Sequence, residues 1–247
     1  MLRGLLTIVT FVVATTVLGL TGIVAGGITG RTEIVFRLGQ LWSRLILGAA
    51  GVAPIYSGLE HAGGKTPRVF LANHLSALDI WVLAVILPDT TRFVSKRSVF
   101  WIPVLGQAMK VAGFIPIDRK DKTRAIRSLA GATAAIRGGA SVILFPEGTR
   151  SRDGKLAPFK KGSFHLALAA GVPIVPIAIS GTGTILRPRS IVIRRGTARV
   201  TVLPPLDPAS FGERGVEALA REVRARIAGC LAPEELADAD RAPQNIV

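Results

Sequence analysis

His74 and Asp79 are the two residues best placed to move a proton. His74 follows the apolar run Arg68–Ala72 and opens the segment Asn73-His74-Leu75-Ser76-Ala77-Leu78-Asp79. A strand that ends where a helix begins is where α/β folds place their sites. On one straight helix, residues i and i+5 lie about 140° apart, so the pair can meet only if His74 stays in the preceding turn. Ser76 as N-cap puts Asp79 at the third helical position, and Ser-x-x-Asp is itself a capping pattern. Asp79 therefore reads as a cap, as the partner of His74, or as both. A histidine with one ring nitrogen held by a carboxylate is a general base of fixed tautomer. The Gly-x-Ser-x-Gly nucleophile elbow is absent from the sequence. The base would therefore activate a hydroxyl on a bound substrate, and a group would pass directly to that oxygen. The other histidines read as structural: His61 sits in a Gly-rich segment, and His165 lies between Phe164 and Leu166.

Two further clusters carry charge. Phe145-Pro146-Glu147-Gly148-Thr149-Arg150-Ser151-Arg152 closes the apolar run Ser141–Phe145. A glycine among hydroxyls and arginines can bind a phosphate, because arginine offers forked donors and glycine lets the backbone approach. In isolation the octet reads as a polar turn. Ser95-Lys96-Arg97 and Gly113-Phe114-Ile115-Pro116-Ile117-Asp118-Arg119 place Lys96 and Arg119 after short apolar runs as well. Arg119 equally suits the start of a surface helix. Three strand ends, each bearing cationic or proton-moving residues, point to one converging site.

A sheet is needed to line these ends up, and the sequence supplies one. Short β-branched runs at 68–72, 91–95, 113–117, 140–145, 173–180, 190–194 and 198–203 predict strands. Helical patterns at 78–86, 103–111, 121–137, 162–170 and 215–231 alternate with most of them. The expected fold class is α/β: a mixed, mostly buried β-sheet flanked by helices, with an N-terminal membrane-anchoring helical segment. The sheet is expected to be mixed because no helix separates the last two runs. The expected divisions are an anchor helix over residues 1–30, an interfacial amphipathic helix and linker over 31–66, the α/β domain over 67–232, and a polar, frayed tail over 233–247.

Composition narrows the partners. Hydrophobic residues form 49% of the chain and charged residues 19%, which excludes intrinsic disorder as the main state. The single cysteine, Cys230, excludes an intramolecular disulfide and a multi-cysteine zinc site. The net charge is +15, so an anionic partner is expected. Aromatic residues are only 6% and no basic–aromatic module stands out, which argues against nucleic acid. Anionic membrane lipid fits better. Residues 5–24 (LLTIVTFVVATTVLGLTGIV) are uncharged and as long as one hydrocarbon thickness. The run exceeds the apolar core of a usual signal peptide. The segment 32–50 repeats its apolar positions at helical spacing and adds Arg37, Arg44 and Trp42, so it reads first as a helix lying in the membrane interface and second as a helix packed on the domain. Arg31, Arg37 and Arg44 follow the span and only Arg3 precedes it. The positive-inside bias therefore puts the body on the cytoplasmic side of the cell membrane.

Four blocks in order, NHLSALD (73–79), SKRSVFWIPVLGQAMKVAGFIPIDR (95–119), FPEGTRSRDGKLAPFKKGSF (145–164) and GVPIVPIAI (171–179), resemble the membrane-bound glycerolipid acyltransferase family. Within that family the chain is most similar to the 1-acylglycerol-3-phosphate acyltransferases. The resemblance covers residues 70–205, and the ordered set is far more specific than any one block.

The resemblance implies a catalytic role for His74 as base and for Asp79 as the carboxylate that orients it. It implies that Phe114–Arg119, with Lys96 near the reacting centre, helps hold the acceptor's glycerol phosphate. Glu147, Gly148, Thr149 and Arg150 would form the phosphate-binding block. Lysophosphatidic acid would be the acceptor and phosphatidic acid the product. The donor would be the thioester of acyl-CoA or of acyl carrier protein, with neither metal nor cofactor. Glycerol 3-phosphate or another lyso-lipid remains an alternative acceptor. A basic membrane-binding protein without catalysis is the alternative outside the enzymes.

Overall fold

The protein is described by a computed structural model that covers residues 2–64, 66–118, 122–188, 190–237 and 240. In chain order the elements are α1 (Leu2–Thr29), α2 (Thr32–Ala50), β1 (Val52–Ser57), β2 (Val69–Ala72), α3 (Leu78–Ile86), β3 (Thr91–Lys96), α4 (Leu105–Val111), β4 (Ile115–Ile117), α5 (Lys122–Arg137), β5 (Ser141–Leu144), α6 (Gly162–Ala170), β6 (Ile174–Ser180), α7 (Thr182–Ile185), β7 (Gly196–Val202) and α8 (Gly215–Ala228).

The seven strands form one sheet in the order β1-β7-β6-β2-β5-β3-β4. β6, β2, β5, β3 and β4 run parallel. β7 is antiparallel to β6 and carries β1 parallel to itself at the edge. The central strands β2, β5 and β6 are buried at every residue, as expected where helices cover both faces. Alternation divides their side chains. Phe70 joins Val82, Leu83, Phe93 and Ile143 under α2 and α3. Val69 and Leu71 join Val142, Phe164, Leu219 and Val223 under α5, α6 and α8.

Three local expectations are corrected. The segment 52–57, read as part of a linker, is strand β1. Pro54 lacks an N–H, which disfavours an interior strand, but at a sheet edge only one side must pair. The segment 190–194, read as a strand, lies outside the sheet, and Ile191 and Val192 are exposed. The expected frayed tail begins with an ordered turn at Pro233–Glu235, and Glu235 is buried.

Helix α1 does not stand clear of the body. It packs on α2 and α4 through small residues, among them Thr15, Gly22 and Gly26, while Gly4 lies against the backbone of Ile191. A Cβ at Gly26 would lie 2.7 Å from Val35 and 2.8 Å from Val111, so only glycine allows that approach. The large residues of α1, including Leu5, Val9, Val13, Val17 and Val24, face outward. The helix is long and apolar enough to cross a membrane, and this outward face is the part of the molecule fitted to lipid. Trp42 does not sit at the interface as expected. Its indole N–H donates to Thr15 Oγ1 of α1 at 2.9 Å, and its ring packs between Phe11 and Trp81. Trp101, 78% exposed, is the outward tryptophan.

Candidate active site

Parallel strands present their C-terminal ends on one edge. β2 lies between β5 and β6, so the His74 loop is flanked by the 145–152 loop and by Gly181-Thr182. Where β2 ends, the side chain of Asn73 continues the ladder to β6. Its Nδ2 donates to Ile179 O and its Oδ1 accepts from Ile179 N–H, both at 2.8 Å. The backbone is thereby freed to turn, and His74 falls outside α3 as the pairing requires.

His74 Nδ1 lies 2.8 Å from Asp79 Oδ2. The same oxygen accepts from the Ser76 N–H at 2.8 Å, so one carboxylate both fixes the turn before α3 and holds the ring; the N-cap position falls at Ala77, not at Ser76 as expected. Asp79 Oδ1 accepts from the Thr182 hydroxyl at 2.5 Å, and both residues are fully buried. The carboxylate is an acceptor, so the neutral imidazole carries its proton on Nδ1 and leaves its lone pair on Nε2. The ring stacks on Phe145 with centroids 3.9 Å apart. A buried base held in this way can take a proton only at Nε2.

Glu147 has a different place from the one expected. The residue is 3% exposed and its carboxylate points inward, accepting from the His74 N–H at 2.7 Å and the Ala157 N–H at 3.2 Å. Burial pushes its pKa up to about 7, against the pull of those two N–H donors, and the charge of Asp79 adds to the rise. With the Ser151 N–H donating to His74 O at 2.8 Å, both backbone groups of His74 are fixed by the neighbouring loop. A carboxylate inside an octet expected to bind phosphate is the clue the sequence offers, since like charges repel.

Gly148 adopts φ 77°, and a Cβ there would lie 2.9 Å from Lys160 Nζ, so the turn needs glycine. Thr149 and Arg150 are exposed and line a cavity of about 320 Å³ beside the His74 loop, with Arg152 and Arg187. Lys96 is exposed at the end of β3, with β5 between its strand and that of His74. Two strand spacings, about 10 Å, separate them. Arg119 lies outside the described residues. Phe114 packs on Phe93 with centroids 5.3 Å apart and lines a small apolar cavity with Leu18, Phe36 and Ile80.

Thr182 and Glu235 carry no sequence signal of a role at the site. Glu235 Oε1 accepts from the Gly181 N–H at 2.7 Å, which fixes the turn that delivers the Thr182 hydroxyl. The rule that sites lie at strand ends, applied to β6, points to Gly181–Thr184, but not to which hydroxyl turns inward.

The arrangement is that of a membrane-associated α/β protein with a carboxylate-held histidine beside an arginine-lined cavity. A model of the Acyltransferase family matches residues 54–180, and the chain belongs to that family. Among curated relatives, the chloroplastic 1-acyl-sn-glycerol-3-phosphate acyltransferase of Brassica napus is 38% identical over 204 residues, 80% of this chain and 56% of its own length. The 1-acyl-sn-glycerol-3-phosphate acyltransferase of Salmonella typhimurium is 36% identical over 174 residues, 70% of this chain and 68% of its own. The chain thus spans little more than half of the plant relative. The crystal structure of the 1-acyl-sn-glycerophosphate acyltransferase of Thermotoga maritima superposes with a TM-score of 0.77 at 26% identity, covering 90% of this chain and 92% of that one.

Proposed function

We propose that the protein transfers an acyl group from an acyl thioester to the sn-2 hydroxyl of 1-acylglycerol 3-phosphate, forming phosphatidic acid for phospholipid biosynthesis. The observation that carries this reading is the buried His74–Asp79 pair, 2.8 Å apart, beside the arginine-lined cavity. His74 Nε2 takes the proton of the acceptor hydroxyl as its oxygen attacks the thioester carbonyl carbon. The tetrahedral oxyanion is stabilised by nearby donors, for which Lys96 is a candidate. It collapses with cleavage of the C–S bond, and the thiolate takes the proton back from Nε2. A positioned base supplies roughly 10²–10⁴ in rate, and a held phosphate supplies orientation.

Thr149 and Arg150 act on the acceptor's phosphate, and Gly148 gives the loop its turn. The acyl chain takes the apolar cavity between α1, α2, α3 and α4. The donor is acyl-CoA or acyl carrier protein, used as substrate and not as a resident cofactor. The catalytic body sits on the cytoplasmic side of the cell membrane, held by α1 and drawn to anionic lipid by Arg31, Arg37 and Arg44, each adding about 1 kcal/mol where it meets the surface.

Mass spectrometry of lipids formed by the purified full chain from isotopically labelled lysophosphatidate and acyl-CoA or acyl carrier protein tests the reading. Labelled phosphatidic acid is the expected product. Lysophosphatidate left unchanged, with acylation of glycerol 3-phosphate run in parallel, would overturn the choice of acceptor.

A further inference from the structure

The cavity beside the His74 loop holds more positive charge than the expected phosphate block accounts for. Arg150 and Arg152 line it from the 145–152 loop, and Arg187 lines it from the segment that follows α7. Ser76, Thr149 and Ser190 add hydroxyl-bearing residues, and none of the described lining residues is acidic. The three guanidinium groups have no hydrogen bond or ion pair among the described residues. The two acids of the neighbouring loop are turned elsewhere. Glu147 holds backbone N–H groups in the interior. Asp153 accepts from Ser151 Oγ at 2.9 Å and from the Lys155 N–H at 3.0 Å.

Both walls of this cavity are tied to the His74 loop. The Ser76 hydroxyl donates to Leu186 O at 3.0 Å, and the Ser151 N–H donates to His74 O at 2.8 Å. An anion seated between the walls is thereby held at a set distance from His74. Arg187 falls outside residues 54–180, where the family model matches, and outside the four sequence blocks.

We propose that Arg187 completes a three-arginine phosphate site with Arg150 and Arg152, and that this site takes the terminal phosphomonoester of the acceptor. The proposal rests on the acyltransferase reading for the identity of that acceptor. Three cations around one cavity with no acid raise its potential, which favours a dianion over a singly charged diester. A phosphomonoester also offers three free oxygens to three forks, whereas a diester offers two. The phosphates of an acyl carrier share this chemistry, and they are told apart by which ligand the substitution weakens.

The test measures binding to the full-length chain in detergent, in a His74→Ala background so that nothing turns over. The probes are a short-chain lysophosphatidate, the monoacylglycerol of the same chain, and an acyl-CoA. Arg187→Gln is expected to weaken lysophosphatidate about tenfold or more, the usual size of a lost charge-assisted hydrogen bond. Arg187→Lys is expected to recover part of it, since lysine keeps the charge without the fork. Binding of the monoacylglycerol, which has no phosphate, is expected to stay within about twofold of its value with Arg187 in place, and so is binding of acyl-CoA, whose own 3′-phosphomonoester and pyrophosphate lie outside this cavity under the proposal. Unchanged lysophosphatidate binding overturns the site. Equal weakening of the monoacylglycerol, or weakening of acyl-CoA instead, overturns its assignment to the acceptor's phosphate. The assay needs no turnover, so a failure of the phosphate site is distinguishable from a failure of the enzyme to make phosphatidic acid.

Discussion

Two regions on the same sheet edge are built in opposite ways. Around His74 each polar partner is already in place. Asp79 is 0% exposed and accepts from His74, Ser76 and Thr182, and Glu147 holds the backbone beneath. Further along the edge, Arg150, Arg152 and Arg187 are exposed and their guanidinium groups have no partner among the described residues. The contrast fits the roles proposed for the two regions. A buried carboxylate left unpaired is strongly destabilising, so a proton-moving pair built on Asp79 has to be satisfied before substrate arrives. An exposed guanidinium is hydrated and stable alone, so the proposed anion-holding groups need no counter-ion beforehand.

The greatest loss should come from damage to the prearranged side. His74→Ala should lower single-turnover acyl transfer by roughly 10²–10⁴-fold while the protein still folds and associates with membranes. Asp79→Asn should lose most of the activity as well, because an amide no longer dictates the Nδ1 tautomer. Acyl transfer near the wild-type rate by purified His74→Ala would refute the base assignment.

Damage to the waiting side should act on binding. Arg150→Ala should raise the KM for lysophosphatidate roughly 10- to 100-fold and leave the KM for the acyl donor near its wild-type value. Steady-state kinetics with each substrate varied in turn distinguishes this from a fault in the proton-moving pair, which lowers kcat.

Thr182 serves the prearranged side without reaching substrate. Thr182→Val removes the hydroxyl from a buried carboxylate and should reduce stability by about 1–3 kcal/mol. Asp79, with one donor fewer, is less firmly oriented against His74, so kcat should fall while the KM for each substrate stays near its wild-type value. Thr182→Ser should restore both stability and kcat. An unchanged kcat in Thr182→Val would show the residue to be packing alone.

A smaller change is expected at Glu147. Its native pKa, about 7, is above its ordinary 4.5, so the native state binds more protons than the unfolded state between those values. Stability from this group is therefore present below about pH 4.5 and is lost as pH rises to 7. Thermal unfolding should show wild type losing stability relative to Glu147→Gln across that range. Parallel Tm curves for the two proteins would count against a buried carboxyl that titrates there.

Much of the frame was legible because local periodicity reports burial. The segments 78–86 and 162–170 form helices with the expected limits, and the expected strand at 173–180 is found at Ile174–Ser180. Strand β1 escaped because Pro54 argues against a strand unless its edge position is known. The 190–194 run misled because β-branched residues favour a sheet only where a partner edge is free. Trp42 escaped for a similar reason: its amphipathic pattern suits lipid or a neighbouring helix equally well, and α1 took the place of lipid.

Two features of the site follow from sequence alone: the residue types at the strand ends, and the need for His74 to leave the helix to meet Asp79. Both are local, carried by a few neighbouring residues and the helical period. Which distant groups complete the site is fixed only in the folded molecule. Thr182 reaches Asp79 across 103 positions, Glu147 reaches the His74 backbone across 73, and Glu235 reaches Gly181 across 54. The first two depend on β2 lying between β5 and β6, and the third on the segment after α8 returning to the end of β6. Strand order is set by how whole faces pack against α2, α3, α5, α6 and α8, and no local run of residues encodes it.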